Sequence, residues 1–103
     1  MKQIKNYEEF KELANQDLMV LIAKTKTCAV CKPLTDKLEV FMKDYPSIPV
    51  YSVYLEDVAL FSGQHLVFTV PTILIFSEGR EVLRESRFID FQKIERLFDI
   101  YLN

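Results

Sequence analysis

The chain has 103 residues, of which 50% are hydrophobic and 27% are charged, so it is long enough to bury a core and too apolar to be disordered. Its 13 basic and 15 acidic residues leave none of the positive excess with which proteins bind nucleic acid. Gly63 and Gly79, its two glycines, lie far apart and cannot form a glycine-rich loop for nucleotide phosphates. We therefore expect one domain, residues 1–103, with no bound cofactor and no nucleic-acid partner.

The sequence also contains no segment expected to enter a membrane. Its longest apolar run, Leu18 to Ala23, is much shorter than a membrane span or the core of a signal peptide. The start of the chain is polar, with lysines at positions 2 and 5. We therefore expect a cytoplasmic protein without a membrane partner, in a compartment where cysteine pairs are more often redox or metal sites than structural disulfides.

The first half of the chain predicts strands alternating with helices. An edge strand at residues 2–5 precedes a helix that Asn6 and Glu9 are spaced to cap. The uninterrupted apolar residues 18–23 predict a strand buried on both faces. A second helix follows, with apolar residues at helical spacing from Leu34 to Tyr45, and should end before the prolines at 46 and 49.

The second half continues this alternation. Residues 50–55 predict a strand, residues 58–66 a weaker helix and residues 72–76 another strand. Residues 77–80 predict a hairpin turn into a strand over residues 81–88. Asp90 can then cap a final amphipathic helix. This order predicts an α/β fold, a three-layer sandwich in which a central mixed sheet is flanked by helices.

The two cysteines, Cys28 and Cys31, lie where the buried strand gives way to the second helix. Unpaired N–H groups and the positive end of the helix dipole favour thiolate there, and Lys24, Lys26 and Lys32 add positive charge. Two intervening residues bring Cys31 within bonding range of Cys28. We expect Cys28 to be the nucleophile that attacks a substrate disulfide, and Cys31, less exposed, to be the resolving thiol that completes the exchange.

Other interpretations of the pair remain open at this stage. Free cysteines are often buried core residues. A zinc or iron–sulfur site would need further ligands, because the chain offers two thiols and a distant His65. His65 itself is expected to be a surface or packed histidine without a role. Glu56 and Asp57 could act on the dithiol electrostatically, although turn residues are the simpler interpretation.

The sequence resembles the thioredoxin superfamily in KTCAVCK at 26–32, in VPT at 70–72, in EGR at 78–80 and in the order of its elements. The resemblance implies a thioredoxin-like fold and an enzyme that reduces the disulfides of other proteins. Electrons would come from a flavin-dependent donor of the thioredoxin-reductase type or from a low-molecular-weight thiol. An alternative is a module of the same fold that binds extended polypeptide, as a chaperone does, without efficient turnover.

The resemblance also implies which residues contact substrate. Pro71 matches a proline that is cis in that family, which would place the backbone of Val70 beside the dithiol, ready to pair with an extended segment. Thr27 stands where familiar members have tryptophan, and Ala29 and Val30 replace a glycine and a proline. These three residues are expected to tune substrate contact and reduction potential.

Two further departures concern the resolving thiol and its helix. Ile22 stands at the position of the family's buried aspartate, so loss of the proton from Cys31 is expected to be slow or to depend on water. Asp36 stands where the family has a helix-kinking proline, whereas this chain has Pro33. Because a proline cannot donate a helical hydrogen bond, the helix should either bend at Pro33 or begin later than Cys28.

Overall fold

The computed structural model describes residues 1–102; Asn103, the last residue of the expected domain, lies outside them. Strands and helices follow one another in the predicted order. The strands are β1 (Lys2–Ile4), β2 (Met19–Lys24), β3 (Val50–Tyr54), β4 (Thr72–Ser77) and β5 (Arg80–Ser86). The helices are α1 (Tyr7–Ala14), α2 (Cys31–Met42), α3 (Ala59–His65) and α4 (Phe91–Leu102).

The strands form one mixed sheet in the order β1-β3-β2-β4-β5. Strand β3 runs parallel to β1 and β2, whereas β4 runs antiparallel to β2 and to β5. The central strand β2 is fully buried from Met19 to Ala23, which confirms its predicted burial on both faces. Lys24 at the end of β2 lies in register with Tyr54 at the end of β3, so both strands end at the same edge of the sheet. The cysteine-containing segment leaves from this edge.

Helices cover both faces of the sheet, which confirms the predicted three-layer α/β sandwich. Phe10 of α1 and Phe61 of α3 pack on one face against Phe76 of β4. The other face carries a largely aliphatic cluster that includes Leu38 of α2 and Ile94 of α4. Burying a large apolar side chain contributes about 1.5–3 kcal/mol, so each layer anchors its pair of helices.

Both predicted helix caps are present. The N–H of Glu9 donates to Asn6 Oδ1 at 2.8 Å, and the N–H of Gln92 donates to Asp90 Oδ1 at 3.0 Å. One detail differs from a standard capping box, because the Glu9 carboxylate accepts from the N–H of Lys5 at 2.8 Å. Side-chain oxygens thus satisfy N–H groups that have no partner inside the helices.

The ends of two elements differ from the prediction. Helix α2 ends at Met42, so Tyr45, predicted on its apolar face, lies beyond it; a residue that precedes a proline is disfavoured in helical conformation. Strand β5 spans Arg80–Ser86 and so ends before residue 88, because Arg87 has a φ of 64°. The hairpin between β4 and β5 is confirmed, with positive φ at Glu78 and Gly79.

Candidate active site

The two cysteines are joined by a disulfide, with their Cα atoms 5.4 Å apart. Cys31 is buried, with 3% of its surface exposed, whereas Cys28 is half-buried. Thr27 and Ala29 on either side of Cys28 are exposed. The fold therefore brings both sulfur atoms together and leaves Cys28 the more accessible, which is the arrangement that sequential attack and resolution require.

Helix α2 begins at Cys31, three residues after Cys28, so the expected position of Cys28 at the helix start is wrong. Pro33 explains the difference, because it is the third residue of α2. A proline is tolerated in the first turn, where N–H groups have no helical partner, but not deeper in a helix. The effect of the helix dipole falls off within one turn, so its support for the Cys28 thiolate is weaker than the sequence suggested.

Thr35 fixes the first turn of α2 at Cys31. Its hydroxyl donates to the carbonyl oxygen of Cys31 at 2.7 Å, and its side chain is buried. Sequence reasoning missed this contact. A threonine four residues after a helical carbonyl is a usable signal for it, because threonine hydroxyls commonly bond back over that spacing.

Lys26 holds the loop between β2 and Cys28 against the turn that follows β3. Its backbone N–H donates to Glu56 Oε2 at 2.8 Å, and its ammonium contacts Asp57 Oδ1 at 2.9 Å. The hydrogen bond to Asp57 raises the pKa of Lys26. Glu56 and Asp57 are thus turn residues, as interpreted from sequence, with the added task of ordering the loop that carries Cys28.

The positive charge expected around the dithiol is partly neutralised. Besides the pair made by Lys26, the ammonium of Lys32 lies 3.4 Å from Asp36 Oδ2. Lys24, by contrast, contacts the uncharged ring of Tyr54, with its Nζ 5.0 Å from the ring centroid, and keeps its charge. Lysines that are paired with carboxylates stabilise a neighbouring thiolate less than free ones.

A cavity of about 460 Å³ opens beside the disulfide, and both cysteines line it. Its walls are polar and carry acidic as well as basic side chains. The remaining lining residues are Lys24, Thr25, Lys26, Lys32, Thr35, Asp36, Glu39 and Tyr54. The buried Cys31 therefore adjoins a space that is large enough to hold several water molecules.

The Val70–Pro71 peptide bond is cis, which is the geometry that the resemblance implies. Pro71 is buried and Val70 is half-buried. The N–H of Arg87 donates to the Pro71 carbonyl at 3.4 Å, and the Thr72 hydroxyl lies 3.0 Å from that of Ser86. These contacts hold the end of β5 beside the start of β4.

Pro71 shares a groove of about 290 Å³ with Val30, on the side of the CAVC segment away from the polar cavity. Pro33, Leu34, Lys37 and Arg87 complete its lining. Of the residues predicted to contact substrate, Val30 and Pro71 therefore meet in one groove. Thr27, Ala29 and Val70 lie outside its lining.

Ile22 is fully buried, and its partners in register are Ser52 on β3 and Ile73 on β4. It belongs to the apolar cluster beneath α2 and α4. The position at which the resemblance implies a carboxylate is thus part of the hydrocarbon core. The acidic residues that line the cavity together with Cys31 are instead Asp36 and Glu39 of α2.

His65 lies in the opposite layer, packed among aromatic rings. Its Nε2 is 3.1 Å from the hydroxyl of Tyr7, and its ring is stacked on Phe61 at a centroid distance of 4.5 Å. Burial lowers its pKa from the usual value of 6.5. The interpretation of His65 as a packed histidine is confirmed.

Within residues 1–102, no helix has the length and apolar character needed to cross a membrane. The family model described as Thioredoxin matches residues 2–99. Thioredoxin-like protein YdfQ of Bacillus subtilis is 37% identical to the chain over 78 residues, which cover 72% of this chain and 70% of that protein. Thioredoxin-1 of Saccharomyces cerevisiae is 29% identical over 83 residues, covering 80% and 81% of the two chains.

Solved structures share the whole architecture. The thioredoxin of Plasmodium falciparum superposes with a TM-score of 0.84 at 18% identity, covering 98% of this chain and 99% of that one. Fasciola hepatica thioredoxin gives a TM-score of 0.84 at 20% identity, with coverage of 98% and 99%. At these identities the agreement shows the fold, including the strand order described above.

Proposed function

This chain belongs to the thioredoxin family and is a thiol–disulfide oxidoreductase, and from that premise we propose that Cys28 is its nucleophile and Cys31 its resolving thiol. The Cys28 thiolate attacks one sulfur of a substrate disulfide, and the other substrate sulfur leaves as a thiolate. Cys31 then loses its proton and attacks the Cys28 sulfur, releasing the second substrate thiol. The dithiol gives up two electrons, and the Cys28–Cys31 disulfide is the product.

The observation that carries this assignment is the difference in exposure across the disulfide. Cys28 is half-buried between exposed neighbours, whereas Cys31 is 3% exposed at the start of α2. An incoming disulfide needs access to one sulfur, and only the internal step can use a buried one. The opposite assignment would require α2 to move before the first step.

We further propose that an extended segment of the substrate lies beside Val70 and pairs with its backbone. Val30 and Pro71, which share the groove, would contact the segment's side chains. The exposed Thr27 and Ala29 would contact the part of the substrate that faces Cys28. Backbone pairing tolerates many sequences, as a reductant of varied proteins requires.

We also propose the class of substrate, the electron donor and the location of the protein. Disulfide-containing proteins would be the substrates, and electrons would come from a thioredoxin-reductase-type donor or a low-molecular-weight thiol. A reductive role fits a cytoplasmic location, because that compartment keeps dithiols reduced. We propose that residues 1–103 act as one thioredoxin-like domain, which the single five-stranded sheet supports.

Reduction of a disulfide-bonded protein in the presence of an electron source tests the proposal. We expect turnover by the wild-type protein and loss of turnover in Cys28→Ser, with Thr25→Ser as a matched substitution in the same loop that keeps activity. A wild-type rate equal to that of Cys28→Ser would refute the assignment.

A second candidate, a polypeptide-binding module without turnover, is favoured by one observation. Phe68 and Phe88, which lie close in sequence to Val70 and Arg87, are 78% and 92% exposed. Exposed aromatic side chains suit capture of apolar segments. The double variant Cys28→Ser/Cys31→Ser discriminates between the two functions. Oxidoreductase activity requires the cysteines, whereas the binding module would suppress aggregation of an unfolded protein equally well without them.

A further inference from the structure

Among residues 1–102, those that line the groove beside Pro71 include two basic residues and no acidic one. Four of its lining residues, Val30, Pro33, Leu34 and Pro71, are apolar, and the other two are Lys37 and Arg87. The chain as a whole has a net charge of −2. The groove is therefore positively charged, although the protein as a whole is negatively charged.

Neither cation of the groove is neutralised by a carboxylate. Within residues 1–102, the ion pairs include neither Lys37 nor Arg87. The ammonium of Lys37 lies over the ring of Phe91, 5.0 Å from its centroid, which leaves its charge uncompensated. In the cavity on the other side of the CAVC segment, by contrast, Lys26 and Lys32 are both paired with aspartates.

The backbone around Arg87 holds this side chain at the groove. Its N–H donates to the carbonyl oxygen of Pro71 at 3.4 Å. Its φ of 64° is uncommon for a residue with a side chain, so the chain bends sharply at this residue, directly after β5. Phe88, the residue after Arg87, is 92% exposed.

We propose that this groove selects disulfides whose cysteine is flanked by an acidic residue next to an apolar one. The proposal rests on the proposed function and names the substrate class for the same site. The apolar side chain would lie on Val30 and Leu34. The substrate carboxylate would contact Lys37 or Arg87, whose guanidinium can bind it through two hydrogen bonds.

Two self-quenched peptide disulfides that differ by one residue provide the probe. Each peptide carries a fluorophore and a quencher across its disulfide, with leucine and either glutamate or glutamine beside the cysteine. The readout is the ratio of the rates for the glutamate and glutamine peptides, measured within each protein. This internal ratio cancels any general change in cysteine reactivity.

For the wild-type protein at low salt, we expect the glutamate peptide to react roughly threefold to fivefold faster, which is the size of effect that exposed ion pairs produce. The ratio should approach 1 as salt screens the charges. In Lys37→Glu/Arg87→Glu the ratio should fall below 1. The matched control Lys43→Glu/Arg96→Glu makes the same charge change at exposed positions outside the groove and should keep the wild-type ratio.

The possible failures are distinguishable. A wild-type protein that reduces both peptides at equal rates at low salt would overturn the selection and leave the oxidoreductase assignment intact. Loss of the preference in the control variant as well would also overturn it, because net charge rather than the groove would then be responsible. A wild-type protein that reduces neither peptide nor the uncharged hydroxyethyl disulfide would overturn the proposed function together with the selection.

Discussion

Each helical layer holds a side chain that can exchange a proton, half-buried His65 in one and buried Cys31 in the other, and their surroundings differ. His65, in the layer of α1 and α3, is enclosed by aromatic rings and bonded to Tyr7. Cys31, at the start of α2 in the other layer, is more deeply buried, with 3% of its surface exposed, yet it lines a polar cavity. Depth of burial therefore does not decide which of the two groups can react with a partner, because the more deeply buried Cys31 is the one that adjoins a cavity.

The largest effect should come from Cys31→Ser. Attack by Cys28 would proceed, but resolution would stop, so the substrate should remain attached to Cys28 and turnover should fall by about 100-fold or more. Non-reducing gels and peptide mapping would detect the adduct. Ser86→Ala, which leaves both sulfur atoms in place, should show no adduct after the reaction; an adduct there, or none in Cys31→Ser, would contradict the assignment.

Ile22→Asp should have the next largest effects, a loss of stability and a faster resolution of the mixed disulfide. A buried carboxylate without a partner should lower the free energy of unfolding by roughly 3 kcal/mol, because it is removed from water without compensation. The same carboxylate could accept the proton of Cys31, which should speed resolution at least about tenfold.

Denaturant unfolding and rapid-quench kinetics measure the two effects of Ile22→Asp separately. Ile75→Asp is the matched control, because Ile75 is equally buried in the same cluster but its register partner is Val20, two residues before Ile22 on β2. It should lose stability without faster resolution. If both variants resolve at the wild-type rate, a group other than residue 22 already takes the proton.

His65 should make stability depend on pH. Because burial lowers its pKa from 6.5, the unfolded chain binds this proton at a higher pH than the folded protein does. Well above pH 6.5, His65 does not change the free energy of unfolding. That free energy should decrease as the pH falls through 6.5 toward the lower pKa of the folded state. Urea titrations between pH 7.5 and pH 5 would show this slope.

His65→Phe provides the control for that slope, since it keeps an aromatic ring and removes the titrating group. Its free energy of unfolding should vary less over the same interval. An unchanged slope would show that another group, not His65, causes the pH dependence of stability.

The smallest effect should come from Thr35→Val, which keeps the shape of the side chain and removes its hydrogen bond to the Cys31 carbonyl. We expect a loss of about 1 kcal/mol in the free energy of unfolding, the usual contribution of such a bond. Thr35→Ser keeps the hydroxyl and should retain that part of the stability. Thr35→Val as stable as the wild type would show that the bond contributes nothing.

Features encoded by neighbouring residues could be predicted from the sequence. The buried strand β2, the caps at Asn6 and Asp90 and the position of the CAVC segment at a strand-to-helix junction depend on local spacing, and each is present. The late start of α2 was also signalled locally, because a proline is tolerated in the first helical turn but not deeper in a helix, and Pro33 is the third residue of α2.

Features that depend on distant residues could not be predicted. The pair formed by Lys26 and Asp57 joins positions 31 apart, and the groove brings together Lys37 and Arg87, which lie far apart in the sequence. The spacing of residues along the sequence does not reveal such contacts, because they depend on how the strands are ordered in the sheet. The same limit explains why Lys26 was expected to carry uncompensated charge, whereas the pair of Lys32 and Asp36, four residues apart on α2, could have been predicted from helical spacing.

The most direct test of the account is to quench a single turnover of the reduced wild-type protein with a protein disulfide and to map the substrate's attachment over time. The account predicts a mixed disulfide at Cys28 that accumulates and then decays into the Cys28–Cys31 disulfide, because Ile22 leaves Cys31 without a carboxylate partner in the core. Attachment at Cys31, or no accumulation with a decay unchanged in Ile22→Asp, would contradict it.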